Sequence, residues 1–598
     1  MNRLIRMQMR LYRHILLILA AAAASVQVLP AQNLDPTVEV NRAYEGKLME
    51  VHKPVLNMEV PDSVMRFDLD FDYSVFESPY KGSYEFDPYL LSMKPGASAD
   101  ASRRFYLRAG AGYQLHPQLD LVWSPKIGRG FKMDIHATHR SYIGSYWNME
   151  TAEQDGGYLI RRASKDASDR SWKGYDVMTK AGFDAKHDWK KGAFTFGADY
   201  YGLARKKAWP GTAESTSSYN AVDAYLGLSN KGEWAQSFLY DLRLDYRYGG
   251  EKEPEPGHTG YLRENLFDFS GSVGPVFKEN HKVLFDFGLE LASYAMSYDA
   301  TGSQVYLVPH YVFERGPFML DFGVRLSMLV HDSDSTSFYS KTGQVVYPSM
   351  KFHIALIPDA MRLYVNVGGG NRLNTFSSLI SSNHHIDLGS ASGYGPLFDY
   401  TVERMSAAGG FEGRISSRFS YNLRAGYVNY ANDLMDIVSV PYIGHPSAQV
   451  GYASYQKWYT GLDWCLDVQG FRFDGSVIYT DAWGGSLEEA GFLRPAALKG
   501  DVLAEYNWKR RVFVGADCEF ASSRRGKAYV FTPSSAPSYL DDMTLPGYAD
   551  LGVYAEYVTA RNLSFWLRGG NLLNMTIQRN PLYAEKGPYF TAGICLNL

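Results

Sequence analysis

The chain has 598 residues, and its 60 Lys and Arg nearly balance 64 Asp and Glu, leaving a formal net charge of −4. With no global basic field and no long single-sign run, nucleic acid is excluded as an expected partner. Aromatic residues make up 15% of the chain, with 45 Tyr and 32 Phe, and 56 Gly are spread along it, a balance suited to strands and membrane interfaces.

At the start, Arg3, Arg6, Arg10 and Arg13 precede the apolar run "ILLILAAAAASV" from Ile15, and small residues surround "LPAQ". This three-part pattern predicts a secretory signal peptide over residues 1–31, cleaved after Ala31. No later apolar stretch approaches the roughly 20 residues that a spanning helix needs. Residues 32–102 form a separate segment. Within it, "RFDLDFDYSVFESPYKGSYEFDPYL" from Arg66 alternates Phe67, Leu69, Phe71, Tyr73 and Val75 against Asp68, Asp70 and Asp72, until Pro79, Pro88 and Pro95 punctuate it. The expectation is an acidic, aromatic segment folded into or across the periplasmic mouth of a barrel built from residues 103–598.

From residue 103 onward, period-2 alternation dominates. In "FLYDLRLDYRY", Phe238, Tyr240, Leu242, Leu244, Tyr246 and Tyr248 oppose Asp241, Arg243, Asp245 and Arg247. "KVLFDFGLELASY" sets Val283, Phe285, Phe287, Leu289 and Leu291 against Asp286, Gly288 and Glu290, and "FMLDFGVRLSMLV" sets Phe318 to Val330 in steps of two against Asp321 and Arg325. Each run is long enough to cross a bilayer as a tilted strand, which takes about 9–11 residues. Short polar links recur at Ser124, Asp188, Asn230, Lys278, Glu314, Ile357, Ser416, Asp467, Trp508 and Thr559, ten in all, and longer Gly- and Ser-rich connections lie between them. The longest of these are read as Tyr142–Lys173, Gly249–Glu264, Asn371–Asp399, Ala431–Gln449 and Ser522–Pro546; "LMDIVSV" at Leu434 is either a loop strand or an extension of a wall strand.

Ten short turns join twenty strands, and a first strand at Arg104–Tyr113 and a last at Tyr589–Leu598 bring the total to about 22. The predicted fold is therefore all-β: a transmembrane antiparallel barrel in the outer membrane, with short periplasmic turns, long extracellular loops and lipid as its outer solvent. A soluble sandwich or propeller would have strands nearer 5–6 residues. Trp123, Trp189, Trp234, Trp464 and Trp508 stand beside short turns, where an interfacial girdle belongs. Lumen-facing polar residues are then Asp241, Arg243, Asp245, Arg247, Asp286, Glu290, Asp321 and Arg325, a mixed set that keeps a bore wet. Phe590, Ala592, Ile594, Leu596 and Leu598 share the lipid-facing parity of the final strand, and Phe590, Ile594, Leu596 and Leu598 are read as the signal for barrel-insertion machinery, although Phe is more usual at the last position.

"RGGNLLNMTIQRNPLY" from Arg568 resembles the "NLFN" or "NLTN" segment of TonB-dependent receptors, with Asn571 and Asn574 at the matching positions. "VEVNRAYEGKLMEVHKPVLNMEVPD" from Val38 is similar to the mature N-terminus of a receptor-like barrel family of Bacteroidota, and "NTFSSLISSNHHIDLG" from Asn374 resembles one of its loops. The resemblance implies about 22 strands and a plugged lumen, but residues 32–102 supply only about half the length of a full plug domain. Asp35, Thr37, Val38 and Val40 in "DPTVEV" resemble a TonB box, which would pair with the energising protein by strand addition; the alternative is a plain leader.

No GxSxG elbow, phosphate-binding loop or HExxH helix is present, so no enzymatic role, cofactor or metal is expected. His384 and His385 have only Asp387 at ligand spacing and read as solvated loop histidines. Cys465, Cys518 and Cys595 read as ordinary strand residues. The expected function is passage of an unidentified solute or nutrient across the outer membrane. The alternative is a plugless barrel that serves as an assembly subunit with a partner protein, and an outer-membrane hydrolase ranks third.

Overall fold

The computed structural model describes residues 104–598, apart from positions 129, 155, 166, 168–169, 208–214, 232–236, 252–260, 278–279, 296–298, 332–345, 359, 387–397, 417, 442–445 and 532–536. The expected signal peptide and the segment 32–102, with Asp35, Thr37, Val38 and Val40, lie outside the described residues.

In chain order the strands are β1 (Phe105–Gly112), β2 (Gln118–Trp123), β3 (Phe131–Trp147), β4 (Met149–Gln154), β5 (Gly157–Arg162), β6 (Ser171–Trp189), β7 (Gly192–Lys207), β8 (Ser215–Asn230), β9 (Phe238–Glu251), β10 (Arg263–Phe277), β11 (His281–Ala295), β12 (Asp299–Arg315) and β13 (Phe318–His331). They continue as β14 (Val346–Ile357), β15 (Met361–Leu373), β16 (Tyr400–Ile415), β17 (Phe419–Val440), β18 (Ser447–Val468), β19 (Phe471–Trp483), β20 (Leu498–Trp508), β21 (Val512–Ala521), β22 (Arg524–Phe531), β23 (Pro537–Leu545), β24 (Tyr548–Ala560), β25 (Leu563–Gly570) and β26 (Tyr589–Asn597).

Four of the 26 strands stand outside the wall. β4 with β5 and β22 with β23 are hairpins inside connections, because β3 pairs directly with β6 and β21 directly with β24. The other 22 pair antiparallel with their neighbours, and β1 closes the ring on β26 from Tyr106↔Asn597 to Gly112↔Thr591. Closure leaves no edge, as lipid requires of a spanning sheet. The expected first and last strands are both present, and all ten predicted short links fall between consecutive wall strands. At Gln469–Gly470 both residues have positive φ, 51° and 88°, the two-residue geometry whose twist matches a hairpin.

Large apolar side chains of one parity are exposed on the wall, among them Phe238, Tyr246, Tyr248, Phe285, Leu291, Phe322, Val324, Met328, Phe590, Ile594 and Leu598. Of the tryptophans read as a girdle, Trp234 lies outside the described residues, and among the other four Trp123, Trp189 and Trp508 are exposed. On the opposite parity, a tyrosine repeatedly sits directly across from a glycine: Tyr225 from Gly197, Tyr306 from Gly288, Tyr364 from Gly410, Tyr459 from Gly426, Tyr554 from Gly515 and Tyr589 from Gly570. Each ring fills the space a Cβ would take; one at Gly515 would lie 2.4 Å from the Tyr554 ring and one at Gly288 2.2 Å from that of Tyr306. Glycine weakens a strand, and a covering aromatic offsets that weakness.

The wall extends past the expected ends. β17 and β18 run 22 residues each, about twice what a bilayer needs, so "LMDIVSV" at Leu434 is an extension of the wall. The stretch Tyr142–Lys173, expected as a loop, is wall strand as far as Trp147 and again from Ser171, with the β4–β5 hairpin between. Beyond the wall, Ser439–Val440 of β17 pairs parallel with Tyr529–Val530 of β22, and Met543–Thr544 of β23 pairs parallel with Tyr158–Leu159 of β5. These joins make one outer layer from connections far apart in sequence. Met149, Ile160, Val438, Leu493, Ala528, Met543, Leu545 and Leu582 form its apolar core.

Candidate functional site

The polar parity of the wall carries pairs both along and across strands. Arg243 donates to Asp245 at 2.7 and 2.8 Å, and Arg247 forks onto Asp223 of β8. His310 joins two predicted residues, with its Nδ1 2.7 Å from Asp321 and its Nε2 3.2 Å from Asp286. The Arg325 guanidinium lies 4.2 Å from the centroid of the Tyr306 ring. Asp241 stands opposite Ser229 and Ser272, and Glu290 opposite Asp268 and Gln304. The eight predicted residues are thus distributed over β9, β11 and β13 and do not converge on one centre. Missing from the sequence reading were their partners Asp223, His310 and Tyr306, which only the strand register reveals.

Convergence occurs instead at the long-connection end. The β15–β16 connection opens with a short helix, Phe376–Ser382, capped by Thr375, whose Oγ1 accepts the Ser378 N–H while the Ser378 side chain accepts the Thr375 N–H. Phe376, Leu379 and Ile380 follow helical spacing and are fully buried against Leu203 of β7, Tyr219 of β8, Leu262, and Ala292 and Tyr294 of β11. Burying each such side chain contributes roughly 1.5–3 kcal/mol. Phe398, at the far end of the connection, stacks on Tyr294 with centroids 4.3 Å apart.

Polar anchors surround this core. The buried Glu264 carboxylate of β10 accepts the Ser377 N–H at 3.2 and 3.3 Å and the Tyr219 hydroxyl at 3.1 Å. Arg205 of β7 donates to the Ile386 carbonyl at 2.6 Å, with Glu251 3.7 Å away. His384 meets Asp176 of β6 at 2.9 Å, and His385 stacks on Tyr583 at 3.9 Å. The two histidines are therefore packed rather than solvated, contrary to expectation. Burial opposes the charged form of His384, but the Asp176 carboxylate outweighs it and raises the imidazole above its ordinary pKa. Among the described residues no cluster of three or more His, Cys, Asp or Glu is arranged to hold a metal ion.

β7 and β15 are eight places apart around the ring. At about 4.8 Å per strand, a path along the wall would be roughly 38 Å. The Arg205–Ile386 contact thus means that the connection reaches across the mouth. The one legible trace of it in sequence is "TFSSLI", a capping threonine followed by apolar residues at i, i+3 and i+4.

A second corner joins the β1–β2 and β25–β26 connections. Lys586 Nζ lies 2.9 Å from His116 Nε2 and 4.2 Å from the Tyr589 ring. Burial, then the Lys586 charge, pushes His116 down to about 3, and burial lowers Lys586 to about 8. The unfolded chain takes up a proton on His116 near pH 6.5 and the folded corner does not until near 3, so stability falls as pH drops through that window. Acid-induced loss of thermal stability between pH 6.5 and 3 is expected to be shallower in His116→Asn than in the wild type. Equal slopes in a melting series would remove His116 as the cause.

Closed wall, short turns at one end and folded connections at the other together define a 22-strand outer-membrane, multi-pass β-barrel. The sequence matches no protein-family model and no curated protein. Solved structures share the fold. The FrpB iron transporter from Neisseria meningitidis superposes with a TM-score of 0.58 at 11% identity, over 83% of this chain and 82% of that one. For the ferric enterobactin receptor PfeA of Pseudomonas aeruginosa the values are 0.56 and 10%, over 83% and 80%, and for the copper transporter OprC 0.56 and 11%, over 83% and 81%. These neighbours are TonB-dependent receptors, and at such identities the likeness is one of fold.

Proposed function

We propose that this barrel admits a nutrient solute through the outer membrane in the manner of a TonB-dependent receptor. The observation that carries this reading is a 22-strand wall with a bore of mixed charge and an outer mouth crossed by the β15–β16 connection. A wall of that size is wider than small barrels need merely to fill with side chains, and transporters of iron complexes and of copper share it. The outer connections select the ligand, since recognition residues concentrate on loops held by a rigid scaffold. Asp35, Thr37, Val38 and Val40 offer a strand to TonB. Phe590, Ile594, Leu596 and Leu598 present the insertion signal, and membrane lipids cover the apolar parity. The assembly-subunit alternative gains no support from the neighbours.

Deleting residues 33–99 is expected to raise the ion conductance of the purified protein in planar bilayers several-fold, because on this reading that segment fills the periplasmic mouth. A cross-linkable residue at Val38 is expected to capture TonB in cells. Unchanged conductance together with no capture would overturn the reading.

A further inference from the structure

At the end of the β3–β6 connection, register brings three side chains together. Trp147 is the last residue of β3 and faces Ser171, the first of β6, so Arg170 follows beside it. The β4–β5 hairpin folds back so that Met149 faces Arg162. As a result the Trp147 ring carries two guanidinium groups, Arg170 at 4.7 Å and Arg162 at 4.9 Å from its centroid. Tyr146 and Trp172, one position further along each strand, stack at 4.8 Å and stiffen the same pair of strand ends.

Two like charges on one indole repel, and among the described residues neither has a carboxylate. Arg162 donates from Nη2 to the Asn574 carbonyl at 3.0 Å; its Nε and that of Arg170 are buried without a hydrogen-bond partner. The nearby carboxylate of Glu150 is already taken by Arg161 at 2.9 Å. Burial and the Arg170 charge hold Arg162 below its ordinary pKa. Both arginines remain partly exposed, so an incoming group can reach them. By contrast, Arg579 at this end is paired with Glu519, Asp550 and Glu585. Leaving donors buried and unmatched is costly, and a planar fork of N–H groups matches an oxyanion.

We infer that Trp147, Arg162 and Arg170 form a binding site for a phosphate-type oxyanion at the outer end of the barrel. The indole holds both guanidiniums in place while the anion neutralises them. The phosphate belongs either to a lipid headgroup of the surrounding leaflet or to a soluble solute.

Inorganic phosphate titrated into the full chain in detergent, at constant ionic strength against chloride, is expected to raise the thermal unfolding midpoint. The apparent affinity is expected to weaken at least tenfold in Arg162→Gln and in Arg170→Gln, and less than twofold in Arg161→Gln, the paired neighbour. Heat-dependent gel mobility identifies folded barrel in every sample. In a second arm, nanodiscs with and without a bis-phosphorylated lipid A are compared by native mass spectrometry of retained lipid. Retention that the double variant R162Q/R170Q loses assigns the phosphate to lipid, whereas binding of free phosphate without lipid retention assigns it to a soluble solute. No binding in either arm, or equal weakening in all three single variants, overturns the site.

Discussion

Replacing residues 375–398 with a short Gly-Ser link is expected to open the outer mouth, and the full opening should appear only when residues 33–99 are also removed. The reason is two barriers in series: the N-terminal segment proposed for the periplasmic end and the β15–β16 connection at the outer end. A finer version of the experiment uses Phe376→Ala with Leu379→Ala. Each truncation removes roughly 2–5 kcal/mol of burial, enough to release a connection whose helix has fewer than two turns of its own. The β15–β16 register is made entirely within the wall, from Arg362↔Glu412 to Leu373↔Tyr400, so the barrel itself should survive. In single-channel recordings, the loop variant on the deleted background is expected to conduct several-fold more than the deletion alone. Identical conductance in those two proteins would show that the connection is no barrier. The His384–Asp176 contact adds a pH dependence. An imidazole raised above 6.5 contributes stability that is complete below 6.5 and is lost as pH rises through its folded pKa, so brief openings should become more frequent at alkaline pH.

Substituting valine at Gly515 is expected to destabilise the wall by about 1–3 kcal/mol, the range for overpacking a filled site. The added carbon would lie 2.4 Å from the Tyr554 ring and displace the hydroxyl from Glu505. Gly426→Val does the same under Tyr459, where the approach is 2.5 Å, and the two sites are remote enough for their effects to add. The double variant should therefore lose about 2–6 kcal/mol and refold poorly from urea into detergent, as read by the fraction of heat-modifiable barrel. Tyr554→Phe keeps the ring over the glycine and should cost under half as much as Gly515→Val. A reversed order would mean that the hydroxyl, rather than the covering ring, matters there.

Wall architecture was legible because it is written locally. A lipid-facing parity has to be apolar residue after residue, and a short turn has to be polar, so Phe238 to Tyr248 and the ten links could be read without knowing any partner. The mouth was not legible in the same way. Glu264, Tyr219, Arg205 and His384 come from different strands and connections, and each looks like an ordinary polar residue of an alternating strand or loop. Their meaning depends on which strands stand across the bore, and single-sequence periodicity does not carry that information. Leu434 shows a related limit: a wall strand that leaves the membrane keeps its pairing but loses the need for a lipid face, so its alternation fades while the strand continues. Trp147 and Arg162 are fifteen residues apart in sequence and meet only because a hairpin intervenes.

The outer layer also bears on the ring's seam. β1 and β26 are the first and last wall strands, so their junction is the one joint in the cylinder whose two strands are not consecutive wall strands along the chain. The connections that meet above it come from both sides of that joint: β23 pairs with β5, Lys586 reaches His116, and Arg162 reaches Asn574. They work as a clasp over a zip. Splitting the wall between β1 and β26 would require parting these outer contacts together with the seven residue pairs of the seam itself, which makes this the guarded side of the cylinder against lateral opening into the bilayer.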